Sequence, residues 1–213
     1  VVGPSGWSET TSTTYDAQGR VATVTDPSGR VRSHFYDELG RKVAEVVEGT
    51  DVDPGTGEDV AVTRLTTWSY GELGRTVTEV RADGASITRE YDERGNLVTY
   101  TDDDGNATVY GYDCEGRLAS ITYPDGSSRA FTHTADGELA TITRADGTVV
   151  SFGYDDAGRM TGVEVGGQAE VSYGYDPAGH LLSAANGVAS LAFRWDSVGE
   201  QLSESLELLH PAF

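Results

Sequence analysis

The segment Asp51-Val52-Asp53-Pro54-Gly55-Thr56-Gly57-Glu58-Asp59 sets four carboxylates around two glycines. A hard cation such as calcium takes several oxygen ligands, so this is the stretch where cation chemistry would be sought. Its Glu does not stand where a helix–loop–helix calcium site needs it, and Pro54 interrupts the loop. A solvated, protruding hairpin tip is the preferred reading. Asp102-Asp103-Asp104 and Asp155-Asp156 read as solubilising acidic turns. The histidines are His34, His133, His180 and His210, and no two share a metal-ligand spacing. Cys114 is the single cysteine, which excludes an intrachain disulfide and a thiolate metal cluster. No Ser-His-Asp order and no glycine-rich phosphate loop occurs, and no carboxylate pair marks a cleft. The expectation is therefore a chain that is not an enzyme, with no cofactor and no metal site.

The frame around these residues is unusual in composition. Glycine accounts for 27 of 213 residues, and hydrophobic residues for only 37%. That argues against a helical bundle or a compact α/β enzyme and for a chain of many turns. The formal net charge is −20, from 35 acids and 15 bases, with no basic block. Nucleic acid and membrane insertion are excluded as partners, because the first needs clustered Lys and Arg and the second an apolar run of about 20 residues. The opening Val1-Val2-Gly3-Pro4 reads as a piece of a longer polypeptide.

A repeat organises the chain. Nine marks carry a glycine four places on: Tyr15/Gly19, Tyr36/Gly40, Tyr70/Gly74, Tyr91/Gly95, Tyr112/Gly116, His133/Gly137, Tyr154/Gly158, Tyr175/Gly179 and Trp195/Gly199. The steps between marks are 21, 34, 21, 21, 21, 21, 21 and 20 residues, and the long step is a 13-residue insertion. Asp follows the mark in seven of nine cases, so Asp-x-x-Gly fits a turn with a side-chain acceptor at its start and glycine at its end. A second glycine comes 14 residues after most marks. Asp83-Gly84, Asp104-Gly105, Asp125-Gly126 and Asp146-Gly147 read as type I′ hairpin turns; Asn186-Gly187 is slightly out of register, and Gly166-Gly167 is a weaker version. Each repeat is thus strand, tight turn, strand, wider turn.

Alternation before the marks places large side chains on one face, as in Val150-x-Phe152-x-Tyr154. Position −2 is aromatic at Trp68, Tyr110, Phe131, Phe152, Tyr173 and Phe193, so 14 of 19 aromatics fall on two repeat positions. Two ring columns are expected, stacked across the strands and facing an interior, each pair contributing about 0.5–1.5 kcal/mol. His34 and His133 take ring positions, and His180 takes the Arg slot after Gly179. Arg20, Arg41, Arg75, Arg117 and Arg159 are placed to pair with the Asp after the mark, an exposed pair worth about 0–1 kcal/mol. Leu97/Tyr100, Leu118/Ile121, Leu139/Ile142 and Met160/Val163 stand three apart, which predicts a bulge or burial on both faces. Glu200 to Leu209, free of glycine and β-branched residues, reads as a short terminal helix or a frayed end.

A Tyr-Asp mark, Gly-Arg, an aliphatic residue and an Asp-Gly or Asp-Pro-x-Gly turn resemble the RHS/YD-repeat family. Tyr15-Asp16-Ala17-Gln18-Gly19-Arg20-Val21 with Asp26-Pro27-Ser28-Gly29, and Tyr112-Asp113-Cys114-Glu115-Gly116-Arg117-Leu118, carry the likeness best. That family includes bacterial polymorphic toxin shells, toxin-complex shell components, wall-associated proteins and teneurins. The resemblance implies an all-β antiparallel hairpin array coiled as a ribbon, with a lead-in at 1–14, the array at 15–202, a longer hairpin inserted at about 47–62 and a tail at 203–213. It also implies a secreted or cell-surface scaffold whose partner is the rest of the same polypeptide or an encapsulated effector. In such shells paired Asp-Pro-x-Gly motifs resemble a self-cleavage site. Asp26-Pro27-Ser28-Gly29 and Asp176-Pro177-Ala178-Gly179 stand in ordinary repeat turns, so neither cleavage nor an effector is expected within this stretch. The rival expectation is an adhesin-like module that holds carbohydrate on exposed rings, or calcium on acidic turns.

Overall fold

A computed structural model describes residues 10–209; His210 lies outside them. The fold is all-β, with eighteen antiparallel strands and one 3-10 turn, at Glu72–Gly74, among the described residues. By contacts the chain divides between Thr108 and Val109 into two units. The first holds β1 (Ser12–Tyr15), β2 (Val21–Thr25), β3 (Val31–Tyr36), β4 (Lys42–Val52), β5 (Asp59–Tyr70), β6 (Thr76–Val80), β7 (Ser86–Tyr91) and β8 (Leu97–Thr101). The second holds most of β9 (Ala107–Tyr112), then β10 (Leu118–Thr122), β11 (Ser128–His133), β12 (Leu139–Thr143), β13 (Val149–Tyr154) and β14 (Met160–Val165). It ends with β15 (Gln168–Tyr175), β16 (Leu181–Asn186), β17 (Ala189–Trp195) and β18 (Gln201–Leu208). Within each unit a strand pairs with those before and after it in sequence. The insertion lengthens β4 and β5 to 11 and 12 residues.

Most corners at both ends of the hairpins share one closure, and this corrects the expected turn types. After the mark, Gly19 N–H donates to Asp16 O at 3.0 Å and Asp16 N–H to Arg20 O at 2.8 Å. At the opposite end, Gly84 N–H donates to Arg81 O at 2.9 Å and Arg81 N–H to Ala85 O at 2.8 Å. Glycine occupies the fourth position with positive φ, at 78° for Gly19 and 86° for Gly84, while Asp83 keeps an ordinary φ. Type I′ would need positive φ at both central residues, so these are type I turns closed by a glycine bulge. Gly166 and Gly167, at 58° and 81°, form the true two-residue turn. Tyr70 is followed by Gly71 instead of Asp; there the loop closes between Gly71 N–H and Thr76 O, and Leu73 takes φ 57°.

A bulge accounts for the three-residue spacing. Tyr91 pairs with Leu97 and Arg89 with Tyr100, so one residue is extra and both Leu97 and Tyr100 reach the ring face. The same shift recurs between Gly153 and Tyr154 and between Gly174 and Tyr175. Glu200 to Leu209 is neither helix nor frayed coil. β18 holds seven register pairs with β17, from Ala189↔Leu208 to Trp195↔Gln201. Pairing to a neighbour overrides the helical propensity of the segment.

The expected interior is not a core. Among the described residues only Ile87 and Val150 are buried, at 6% and 7% exposure. The ring positions are half-buried, except Tyr15 on β1, which is 63% exposed.

Candidate functional site

The repeated corner is where side-chain chemistry concentrates. Asp155 Oδ1 accepts the N–H groups of Ala157 and Arg159 at 3.0 Å each, and its Oδ2 accepts Arg159 Nε at 2.7 Å. Asp16, Asp37 and Asp113 repeat the pattern with Arg20, Arg41 and Arg117. Where Arg is replaced, other donors reach back: Asn96 Nδ2 to Asp92 at 2.9 Å, and His180 Nδ1 to Asp176 at 2.8 Å. Thr134 and Glu138 exchange the roles by a hydroxyl–carboxylate bond. The Arg159 side chain, then its backbone N–H, hold the Asp155 carboxyl below the usual range. At Asp16, Asp37 and Asp113 partial desolvation pushes upward, but the N–H and guanidinium donors outweigh it and the net direction is down.

The same arginines cross to the next repeat, which the sequence reading did not foresee. The Arg20 guanidinium carbon lies 4.5 Å over the Tyr36 ring, Arg41 4.3 Å over Tyr70, and Arg159 4.8 Å over Tyr175. Each ring then ties back through its hydroxyl. Tyr36 donates to Val21 O at 3.0 Å, Tyr70 to Lys42 O at 2.7 Å, and Tyr175 to Met160 O at 3.0 Å. Tyr154 does the same to Leu139 O at 3.0 Å, and Trp195 Nε1 to Leu181 O at 2.7 Å. Arg159 adds a donation to Asp176 O at 2.9 Å. A rung therefore runs from Asp to Arg to the next ring and back to the backbone beside that Arg. The expected column of rings stacked on rings is replaced here by rings alternating with cations. Direct stacking occurs where His180 stands in the Arg slot, 5.1 Å from Trp195. A planar guanidinium both forks to a carboxylate and covers a ring face, so one residue type serves both contacts.

The remaining predicted residues fall as follows. The glycine four places after the mark has positive φ in every repeat. This holds for Gly19, Gly74, Gly116, Gly179 and Gly199, and for Gly40 at 79°, Gly95 at 86°, Gly137 at 100° and Gly158 at 74°. The N–H groups of Gly40, Gly95 and Gly158 donate to the carbonyls of Asp37, Asp92 and Asp155. Gly137 N–H donates to Thr134 O at 3.1 Å, so the corner closes the same way where Asp is lost. Tyr91 N–H donates to Arg75 O at 2.7 Å. Tyr112 ends β9 opposite Leu118, and His133 lies 3.8 Å from Asp113. At position −2, Lys42 sits 4.4 Å over Trp68, and Trp68 Nε1 donates to Glu79 at 3.3 Å. His34 lies 3.3 Å from Glu45 but is misaligned, leaving a buried Nδ1 without a hydrogen bond.

At the inserted hairpin, Asp51 is bridged by Arg30 at 2.6 Å and by Arg64. Asp53 Oδ1 accepts Gly55 N–H at 2.7 Å and Thr56 N–H at 3.0 Å. The Asp51 carboxylate that calcium would use is thus held by two guanidiniums. Among the described residues no group of three or more His, Cys, Asp or Glu is arranged to hold a metal.

Corner, bulge and rung recur in both units, which defines a β-hairpin repeat array. The RHS repeat model matches residues 1–51, 91–128 and 133–168. That is more than half of the chain, and the protein belongs to the RHS repeat family. No curated protein matches it in sequence. Among solved structures, the TcdB2-TccC3-Cdc42 crystal structure aligns over 91% of this chain at 17% identity and TM-score 0.51. The Photorhabdus luminescens Tc holotoxin pore with a mutated TccC3 aligns over 91% at 17% identity and TM-score 0.52. These likenesses show a shared fold. The chain spans 13% and 12% of those two chains.

Proposed function

We propose that this chain is a non-catalytic structural segment of an exported RHS-type shell or stalk, which encloses or displays another domain, in a bacterial toxin. Its partner is the remainder of the same polypeptide or an enclosed effector, and its place is outside the cell or at the cell surface. The observation that carries the reading is the rung: Asp155, Arg159 and Tyr175 join neighbouring repeats by an ion pair, a ring stack and a hydroxyl bond. Side chains with chemical potential are committed to holding one hairpin against the next. One solved structure of the same fold is that of a Tc holotoxin pore, which supports the toxin setting.

The same geometry weighs against the adhesin reading. A sugar stacks on a free ring face, whereas Tyr36, Tyr70, Tyr175 and Trp68 each carry a cation on one face. The test is deletion of residues 113–133, one 21-residue step, from the polypeptide that bears the segment. The alternation of strands is preserved, so the array should still fold. An enclosed domain should become protease-sensitive while its own activity survives. Unchanged protection refutes enclosure. Saturable glycan binding by the purified chain, lost on Trp68→Ala or Tyr110→Ala, would establish the adhesin instead.

A further inference from the structure

Arg129 and Arg144 lie outside the rung. Among the described residues at least eleven of the 15 Lys and Arg side chains lie within 4.0 Å of a carboxylate oxygen. In a chain with 35 acids that is the expected state of a cation. Arg129 and Arg144 have no such partner among the described residues. They nevertheless converge, together with Tyr123, on one shallow pocket of about 270 Å³.

The repeat explains the convergence. Tyr123 and Arg144 open successive corners 21 residues apart, each with its N–H closing the turn, to Ser127 O and Thr148 O. Arg129 stands on β11 opposite Ile121, and its guanidinium carbon lies 5.8 Å from the Tyr123 ring centre. Three repeats before Arg144, Arg81 opens the equivalent corner and is paired with Glu79 and Asp103. Asp146 itself lines the pocket, and its carboxylate, like that of Asp125, is engaged locally. Asp146 Oδ1 accepts Thr148 N–H at 2.8 Å, and Asp125 Oδ1 accepts Ser127 N–H at 2.9 Å. Asp146 also feels the Arg144 charge, but no ion pair forms between them within 4.0 Å among the described residues.

We propose that this pocket binds a phosphate or sulfate group, clamped between the guanidiniums of Arg129 and Arg144 beside the Tyr123 ring. Forked donors on two sides match a tetrahedral oxyanion. The net charge of −20 repels anions at long range, so affinity comes from the close contacts and is modest. This goes beyond the scaffold reading and does not depend on it.

The test is a titration of the isotopically labelled chain with inorganic phosphate and, separately, inorganic sulfate, followed by amide NMR shifts at fixed ionic strength. Saturable shifts confined to residues 123–129 and 144–146 are expected for at least one anion, and the comparison identifies which. Arg129→Gln and Arg144→Gln should each weaken binding about tenfold. Arg194→Gln, at an exposed arginine on β17, should leave it unchanged. Both test residues are exposed, and the remaining resonances report whether the variants stay folded. Non-saturating shifts, or equal binding by wild type and both pocket variants, overturn the proposal.

Discussion

If the rungs hold the repeats together, Tyr175 and Arg159 must be energetically coupled. Tyr175→Phe keeps the ring under the guanidinium, which lies 4.8 Å from its centre, but deletes the 3.0 Å bond to Met160 O. A hydrogen bond of this kind is worth about 1 kcal/mol. For a chain of this size that corresponds to a melting point lower by about 2–4 °C. Tyr175→Leu removes the ring as well, and the lost cation–π contact adds about 0.5–1 kcal/mol before any change in apolar burial. Arg159→Met retains the aliphatic stem while removing the charge. The double variant Arg159→Met/Tyr175→Leu closes a cycle whose coupling should be about 0.5–1 kcal/mol. The assay is urea unfolding by far-UV circular dichroism, with the slope checked for constancy because repeat arrays can lose cooperativity. Strict additivity of the two single changes would refute the rung as a source of cohesion.

Three further outcomes follow from the same geometry. Corner aspartates such as Asp92, Asp102 and Asp155 titrate lower folded than unfolded, held by the Asn96 amide, the Asn106 amide and the Arg159 guanidinium. Below the ordinary value of 3.8 the unfolded chain binds more protons, so stability falls as pH drops from there through the folded values; proton uptake on acid unfolding should show it, and Asp155→Asn should reduce that uptake. Gly174→Ala would bring a Cβ 2.6 Å from Ser183 Oγ and force that hydroxyl to turn, giving a small fall in melting point that should vanish in a Ser183→Ala background, where the remaining contact is an ordinary 3.9 Å. Millimolar calcium should leave the melting point unchanged, since Arg30 and Arg64 already hold Asp51; a chelator-reversible rise of several degrees would contradict that.

The hairpin array was legible because its signals are local. Asp16 and Gly19 are three residues apart, and a type I turn asks for that pair whatever surrounds it. The extra residue at the bulge showed in the Leu97/Tyr100 spacing. What escaped was information held between repeats. Arg20 reads as the partner of Asp16, but its second contact, Tyr36, lies across a strand boundary. Asp83-Gly84 looks like a two-residue turn in isolation; placing Arg81 at the corner's start requires the register of β6 with β7. The C-terminal segment was misread because β18 has strand structure through β17, not through its own propensity. The half-burial of the rings was misjudged because alternation specifies which face is apolar, not how completely it is covered.

The inserted hairpin carries a lesson in architecture. Arg41 reaches Tyr70 at 4.3 Å although 29 positions separate them, while Arg20 reaches Tyr36 at 4.5 Å over 16. The extra residues were absorbed beyond the rung, in a projecting arm, without disturbing the closure at its base. Lengthening a loop that is already closed costs only about 0.6 kcal/mol per doubling. Each distal corner is therefore a grafting point where a foreign epitope or a recognition finger could be spliced into the array while the spine of alternating rings and cations keeps its pitch.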